Sequence, residues 1–327
     1  MSRVLVTGGA GMIGSNLVKR LISEGDSVTV IDNLWRGSLA NLRWAMGSEA
    51  LEENFVQADL AQLDSSSTIF DGVEVVFHLA DIVAGIQYVF ENEYSVYRQN
   101  VLINSNTLSG AIQAGVKRII YVGTACSYPE HLTKHTAEPR LLLEADVYPA
   151  NPESAYGWSK LMGEYEVGLA ESEGLIEAAV LRLHNVYGFP TELAQSRSQV
   201  IPSLVRKVVE AESTTFDVWG SGRQRRSFIY IDDVVDALIS AKTMAAKQGA
   251  VQIGPESSTS IRELAELIGK TSGKDIAPVF DPTKREGDED RVGDMSKAKR
   301  LLNWSPKVSL ESGISAVYRW AQEELAP

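Results

Sequence analysis

The order of apolar and amphipathic segments in this 327-residue chain predicts an α/β fold, a doubly wound parallel sheet followed by a smaller C-terminal α/β region. Three observations carry that expectation. Short apolar runs alternate with helix-length amphipathic segments through the first half of the chain. The runs lack the apolar–polar alternation of a half-exposed strand, so both of their faces are expected to be buried. A glycine-rich turn joins the first run to the first amphipathic segment.

The expected elements follow in order. Val4–Val6 reads as the first strand and leads into a helical pattern from Met12 to about Ser23. Ser27–Ile31, Phe55–Ala58, Val73–Leu79, Arg118–Val122 and Ala178–Leu181 read as five further strands. Between them, helices are expected near Ser38–Ala45, Ser95–Ala114 and Ala155–Glu171. After Asn185 the rhythm changes: Gly188-Phe189-Pro190 breaks the pattern, and residues 191–198 read as a loop. A helix near Ile201–Glu210, a strand at Thr215–Trp219 and the turn Gly220-Ser221-Gly222 come next. Ser227–Ile231 and a helix from Asp232 to about Met244 are expected to return to the first domain. Helices near Ile261–Thr271, Ser296–Leu302 and Leu310–Glu323 complete the chain, with residues 281–294 dense in charge and turn formers. The expected division is residues 1–185 plus about 226–255 for the sheet domain, and about 186–225 plus 256–327 for the second.

Composition narrows the function. Hydrophobic residues make up 44% and charged residues 23%, as in an ordinary globular enzyme. The 31 Lys+Arg against 43 Asp+Glu give a net charge of −12, which opposes a surface that condenses on nucleic acid or anionic lipid. The single cysteine excludes an intrachain disulfide and a Cys-rich zinc cage, and no metal site is expected. No apolar run approaches the ~18–20 residues that span a bilayer. The N-terminus moves straight into a strand without the features of a signal peptide, so a cytoplasmic protein is expected.

Gly8-Gly9-Ala10-Gly11-Met12-Ile13-Gly14 lies between the first strand and the first helix. Glycines 8, 11 and 14 suit the tight turn, close backbone approach and helix–sheet contact of a pyrophosphate site. The helix N-terminus then presents unpaired N–H groups to the phosphates. Asp32 ends the second strand, where a carboxylate accepts hydrogen bonds from an adenosine ribose and repels a 2′-phosphate, so NAD is expected rather than NADP. Its alternative is a turn residue before Asn33. Asp59, ending the third strand, reads equally as a contact to the adenine edge or as a helix N-cap.

Tyr156 and Lys160 stand four residues apart on one face of an expected helix. An ammonium beside a phenol near an oxidised nicotinamide lowers the phenol's pKa. The phenolate can then take a hydroxyl proton while hydride leaves to the cofactor.

With these motifs the chain resembles the extended short-chain dehydrogenase/reductase family over essentially its whole length. The likeness extends to His78-Leu79-Ala80, Asn100-Val101, residues 182–188, residues 226–233, Ser296-Lys297-Ala298 and residues 302–306. The resemblance implies a Rossmann sheet, NAD as cofactor, a nucleotide-diphosphate sugar as substrate, and a homodimer packed through the helices near Ser95–Ala114 and Ala155–Glu171. It also implies cofactor contacts from Gly8, Gly11, Met12, Ile13, Gly14, Asp32, Asn33, Asp59, Leu60, Ala80, Tyr156 and Lys160. Thr124 is implied beside Tyr156 at the reacting hydroxyl, and Asn185, Arg226 and Arg291 at the diphosphate. On the residues alone, Asn185 also reads as a turn cap and the two arginines as solvated charges.

Within that family, residues 123–130 look like the Ser-Ala-Cys-Ile-Tyr-Pro stretch of GDP-mannose 3,5-epimerases and GDP-fucose synthases, and residues 80–85 and 218–222 strengthen the likeness. It implies that Cys126 removes a hydrogen next to a transient 4-ketone; the residue alone also reads as a small core thiol. The chain departs from the pattern at the opposite acid. Ser198-Gln199-Val200-Ile201-Pro202 looks like Ser-His-Val-Ile-Pro, with Gln199 in the place of the histidine, and no lysine stands between Phe189 and Ile201. Glutamine supplies no proton at neutral pH, and Arg197 effectively does not deprotonate. His184 or a water would then be the donor, unless the residue is simply packed and hydrogen-bonded. The leading expectation is an NAD-dependent nucleotide-sugar epimerase like the 3,5-epimerases. The alternative is a 4-epimerase in which Cys126 is no base. A dehydratase is less favoured, because residues 124–126 carry no carboxylate to expel a 6-hydroxyl, and a decarboxylase is disfavoured by the same missing acid.

Overall fold

A computed structural model of the chain describes residues 1–63, 67–133, 140–193, 198–284 and 291–326. Arg197 and parts of the expected 191–198 and 281–294 loops lie outside the described residues.

The strands are β1 (Arg3–Thr7), β2 (Ser27–Asp32), β3 (Phe55–Gln57), β4 (Val75–His78), β5 (Arg118–Thr124), β6 (Glu177–Leu183), β7 (Asn185–Tyr187), β8 (Thr215–Trp219), β9 (Arg225–Arg226), β10 (Phe228–Tyr230), β11 (Ala250–Ile253), β12 (Thr259–Ser260) and β13 (Ala277–Asp281). The helices are α1 (Met12–Ser23), α2 (Leu39–Met46), α3 (Ser48–Asn54), α4 (Ile86–Glu91), α5 (Glu93–Gln113), α6 (Ala155–Ser172), α7 (Val200–Glu210), α8 (Ile231–Ala241), α9 (Ile261–Ser272), α10 (Ser296–Leu302) and α11 (Leu310–Glu324).

Seven parallel strands form the main sheet in the order β11-β6-β5-β4-β1-β2-β3. Successive residues of β1 point to opposite faces. Val4 and Val6 join the core that holds Leu17 and Leu21 of α1, whereas Leu5 joins the core that holds Ile103 of α5 and Val167 of α6. Both faces are therefore buried, as the uninterrupted apolar runs require. The winding reverses between β1 and β4, where Thr7 pairs with both Ile31 and His78. A crevice opens beyond the carboxyl ends of these strands, at the place where doubly wound sheets bind ligands.

The expected Ser227–Ile231 strand forms as β10 and pairs with β7 in a separate two-stranded sheet, and the seventh strand of the main sheet is β11, paired with β6. The helix that follows, α8, packs on α1. A parallel β8–β13 pair lies with α7, α9 and α11 in the C-terminal region.

The rim of the sheet opposite the crevice is fastened by charge. Arg118 Nη1 donates to the carbonyls of Lys242 and Met244, both at 2.7 Å, just beyond α8. Arg118 also pairs with Glu177, and Lys242 with Asp26. Cations suit the carboxyl end of a helix, whose last carbonyls lack intrahelical partners.

Candidate active site

The glycine turn forms as its sequence requires. Gly8 has φ +69°, and a Cβ there would meet the backbone of Ala80 at 2.8 Å, so β1 and β4 could not approach with a larger residue. No side chain caps the first turn of α1, which begins at Met12 after the N-cap Gly11. Its N–H groups are left for an anion in the crevice. Asp32 is buried: Oδ2 accepts from Ala10 N at 3.0 Å and Oδ1 from Leu34 N at 2.8 Å. Burial raises its pKa against those two donors. The remaining lone pairs of a carboxylate held this way suit two ribose hydroxyls. Asp59 Oδ1 accepts from Ala61 N at 3.0 Å, which is the N-cap reading, and the residue lines the same cavity.

α6 carries Tyr156 and Lys160. Ser154 caps it by accepting from Gly157 N at 3.2 Å, and this fixes Tyr156 in the first turn and Lys160 one turn later. Gly157 permits the packing: a Cβ there would lie 2.3 Å from Cys126 O. β5 delivers Thr124, whose Oγ1 accepts from Cys126 N at 3.1 Å and closes the single turn that presents the half-buried Cys126. The Tyr156 phenol makes a hydrogen bond with Thr124. Burial drives the phenol's pKa well up, the Asp81 carboxylate and Cys126 add to this, and Thr124 and Arg36 oppose it.

Lys160 is buried. Its Nζ donates to Val122 O at 2.8 Å and lies 3.0 Å from Asp81 Oδ2. Beneath it, Thr7 Oγ1 accepts from Leu79 N and Ala80 N, both at 3.1 Å, and lies 2.8 Å from His78 Nδ1. Its own proton therefore goes to Nδ1, and His78 Nε2–H donates to Asn104 Oδ1 at 3.0 Å. Burial and the nearby Lys160 push the His78 pKa down to about 3, so it is a neutral structural link.

A single cavity of about 650 Å³ is lined by every residue singled out above for cofactor or substrate: Gly8, Gly11, Met12, Ile13, Gly14, Asp32, Asn33, Asp59, Leu60 and Ala80, then Thr124, Cys126, Tyr156 and Lys160, then Asn185, Gln199, Arg226 and Arg291. Arg291 is buried, and its Nη1 donates to Ala125 O at 3.2 Å, beside the turn that bears Cys126. His184 also lines the cavity, but its Nε2 is 3.1 Å from Gln252 Oε1. Burial lowers its pKa to about 4, so it holds no proton to give from a charged form at neutral pH.

The sequence reading gives no role to Asp81 or Lys207. Asp81 follows Ala80 directly and faces Lys160. Arg36 donates to Val83 O at 3.0 Å, bridging the loop after β2 to the segment after β4. Lys207 lies eight residues beyond Gln199 along α7 and lines the cavity too. The 199–203–207 spacing was the available signal for Lys207, because residues four apart share a helix face. Nothing local signalled that Arg36 or Asp81 would meet a partner from another strand.

Comparison with known proteins follows the geometry. The model of the NAD dependent epimerase/dehydratase family matches residues 4–254. The chain belongs to that family. GDP-mannose 3,5-epimerase 1 of Oryza sativa subsp. japonica is 30% identical over 327 residues, covering 99% of this chain and 82% of the rice protein. UDP-glucose 4-epimerase of Mycolicibacterium smegmatis is 30% identical over 315 residues, covering 96% of each chain. The crystal structure of UDP-glucose 4-epimerase with UDP-glucose from Thermotoga maritima superposes with a TM-score of 0.87 at 28% identity, covering 99% of both chains. The protein is thus an enzyme of the nucleotide-sugar epimerase branch of the extended short-chain dehydrogenases, built on a Rossmann sheet, and its cofactor is NAD. The uncapped helix start, the Gly8 cradle and the Asp32 carboxylate fit that dinucleotide. Among the described residues no helix is long and apolar enough to cross a membrane, and no cluster of three His, Cys, Asp or Glu could hold a metal ion.

Proposed function

We propose that this enzyme epimerises a nucleotide-diphosphate sugar through a transient 4-keto sugar, in the manner of a GDP-mannose 3,5-epimerase. The observation that carries the reading is the placement of Cys126, half-buried on the turn after β5, in one cavity with Thr124, Tyr156 and Lys160. When bound, NAD accepts a hydride from sugar C4 and later returns it. Tyr156, hydrogen-bonded to Thr124, takes the proton of the 4-hydroxyl and gives it back when the ketone is reduced. The ketone acidifies the hydrogens at C3 and C5, and the Cys126 sulfur, as thiolate, removes one of them. A water gives a proton to the other face of the carbon and inverts that centre, while the thiol passes the proton it took to solvent. Asn185, Arg226 and Arg291 hold the diphosphate, and Gln199 orients the sugar. Residues of about 186–225 and 256–327 form the nucleotide-sugar side of the cleft, and the enzyme works in the cytoplasm as a homodimer through α5 and α6.

A second reading is a 4-epimerase in which Cys126 stays protonated and the ketone is presented by its other face. Gln199 at the wall and the neutral, Gln252-bound His184 favour it, because neither supplies the second proton. Incubating the enzyme with candidate nucleotide sugars in D2O and recording NMR spectra separates the two. Deuterium at C3 or C5 is expected for the first reading. A C4 epimer without ring deuterium establishes the second, and no turnover of any nucleotide sugar refutes both.

A further inference from the structure

The sequence pattern presents Lys160 as a cation that eases ionisation of Tyr156. The structure puts a carboxylate against that cation. Asp81 Oδ2 lies 3.0 Å from Lys160 Nζ, and both side chains are 3% exposed. Neither Asp81 oxygen has a well-angled hydrogen bond, so the ammonium supplies its electrostatic compensation. The carboxylate is also held in place. Asn100 Oδ1 accepts from Ile82 N at 2.7 Å, while Asn100 Nδ2 donates to Ile82 O at 3.3 Å and to Ser159 Oγ at 3.2 Å. The segment bearing Asp81 is thereby clamped to α6 next to Lys160. A buried ion pair of this kind is weak evidence for stability, since desolvation offsets much of its attraction.

We propose that Asp81 is a positioning residue for the reaction: by pairing with Lys160 it cancels the ammonium's charge and holds Tyr156 as a phenol until a further positive charge enters the cavity. This rests on the reading of Tyr156 as the base. The base then ionises when the oxidised cofactor is in place and stays protonated otherwise, ready to return its proton to the sugar oxygen.

The surroundings are consistent with this assignment. Burial pushes the Asp81 pKa up to about 6 against the pull of Lys160, which leaves it ionised at neutral pH. Its charge in turn adds to the upward displacement of Tyr156. From the other packed elements, Arg36 on the loop after β2 and Cys126 after β5 also act on the phenol. Tyr121 of β5 donates to Lys160 O at 3.0 Å, and His78 of β4 is neutral. Of the α6 carboxylates, Glu164 is taken by Arg182 and Glu166 accepts from Ser105. α5 presents Asn100 and Asn104, which are uncharged. At an effective dielectric of about 20, removing one unit charge from within about 10 Å moves a titration midpoint by about one pH unit or more.

The test is a phenolate titration of the full chain in the near ultraviolet, with and without saturating NAD, and with the matched Tyr156→Phe spectrum subtracted. In Asp81→Asn the Tyr156 midpoint is expected to fall by about one pH unit or more, a tenfold gain in ionisation constant. An unchanged or higher midpoint overturns the proposal. Because Asp81→Asn leaves Lys160 buried without its partner, a folding failure is met by the double variant Asp81→Asn/Lys160→Met, which buries no lone charge. Its midpoint is expected to match wild type; a rise of about one unit would show that the Lys160 charge reaches the phenol uncancelled, and overturns the proposal equally. The titration needs no sugar. Absence of epimerase turnover therefore counts against the proposed function and leaves this result standing.

Discussion

Removing the Tyr156 hydroxyl leaves the ring and its packing in place, so Tyr156→Phe isolates the proton transfer. Turnover is expected to fall by about 10²–10⁴-fold, the usual contribution of a positioned acid–base group. Cofactor retention, followed by the absorbance of the purified protein, should be unchanged, and full activity in this variant would remove the mechanism. The placement of Tyr156, Lys160 and Asp32 in one cavity is legible because each depends on local spacing: four residues along a helix, or the end of a strand. The Asp81 contact was not legible. Lys160 lies 79 positions further along the chain, and only the β4–β5 pairing together with the Asn100 clamp brings the two together.

At the scale of elements, the packing of α6 on the Cys126 turn is the joint that aligns Tyr156 with Cys126. Gly157→Ala gains helix propensity of at most about 1 kcal/mol. It also forces a methyl to 2.3 Å from Cys126 O, and overpacking of this kind costs about 1–3 kcal/mol. The clash is against backbone, so it wins. A lower midpoint in urea unfolding and a larger proportional loss of turnover are expected; a variant as stable and active as wild type would show that the turn yields freely. Most helices were readable from their period. β11 was missed because it is four residues long with Gln252 inside it, and that polar side chain is buried only by virtue of His184 and the Leu142 carbonyl, to which it donates at 2.7 Å. Ser227–Ile231 reads as a strand, but an apolar run shows that a strand is buried without showing which partner it takes, here β7.

For the molecule as a whole, buried titratable groups set the acid limit. His78 and His184 have folded pKa values of about 3 and about 4, below their ordinary 6.5. A depressed folded value means that stability is present above pH 6.5 and is lost as pH falls towards 4, because the unfolded chain binds the protons more readily. Asp81 works the other way: its raised value favours the folded state as pH drops through about 6. The histidines outweigh it, and a loss of about 2 kcal/mol between pH 7 and pH 5 is expected in urea unfolding. A flat profile would contradict the buried neutral histidines. The proposed dimer has its surface in exposed Tyr94 and Tyr97 of α5 and Tyr165 and Leu169 of α6. Light scattering is expected to give twice the chain mass, falling to one chain mass in Leu169→Arg.

The fastening of Arg118 to the far end of α8 separates two duties along every strand. Anchorage resides at one rim of the sheet, while recognition resides in the connections at the other. Those connections can therefore be exchanged among relatives without loosening the frame, and a graft confined to them is the natural route to a new sugar preference.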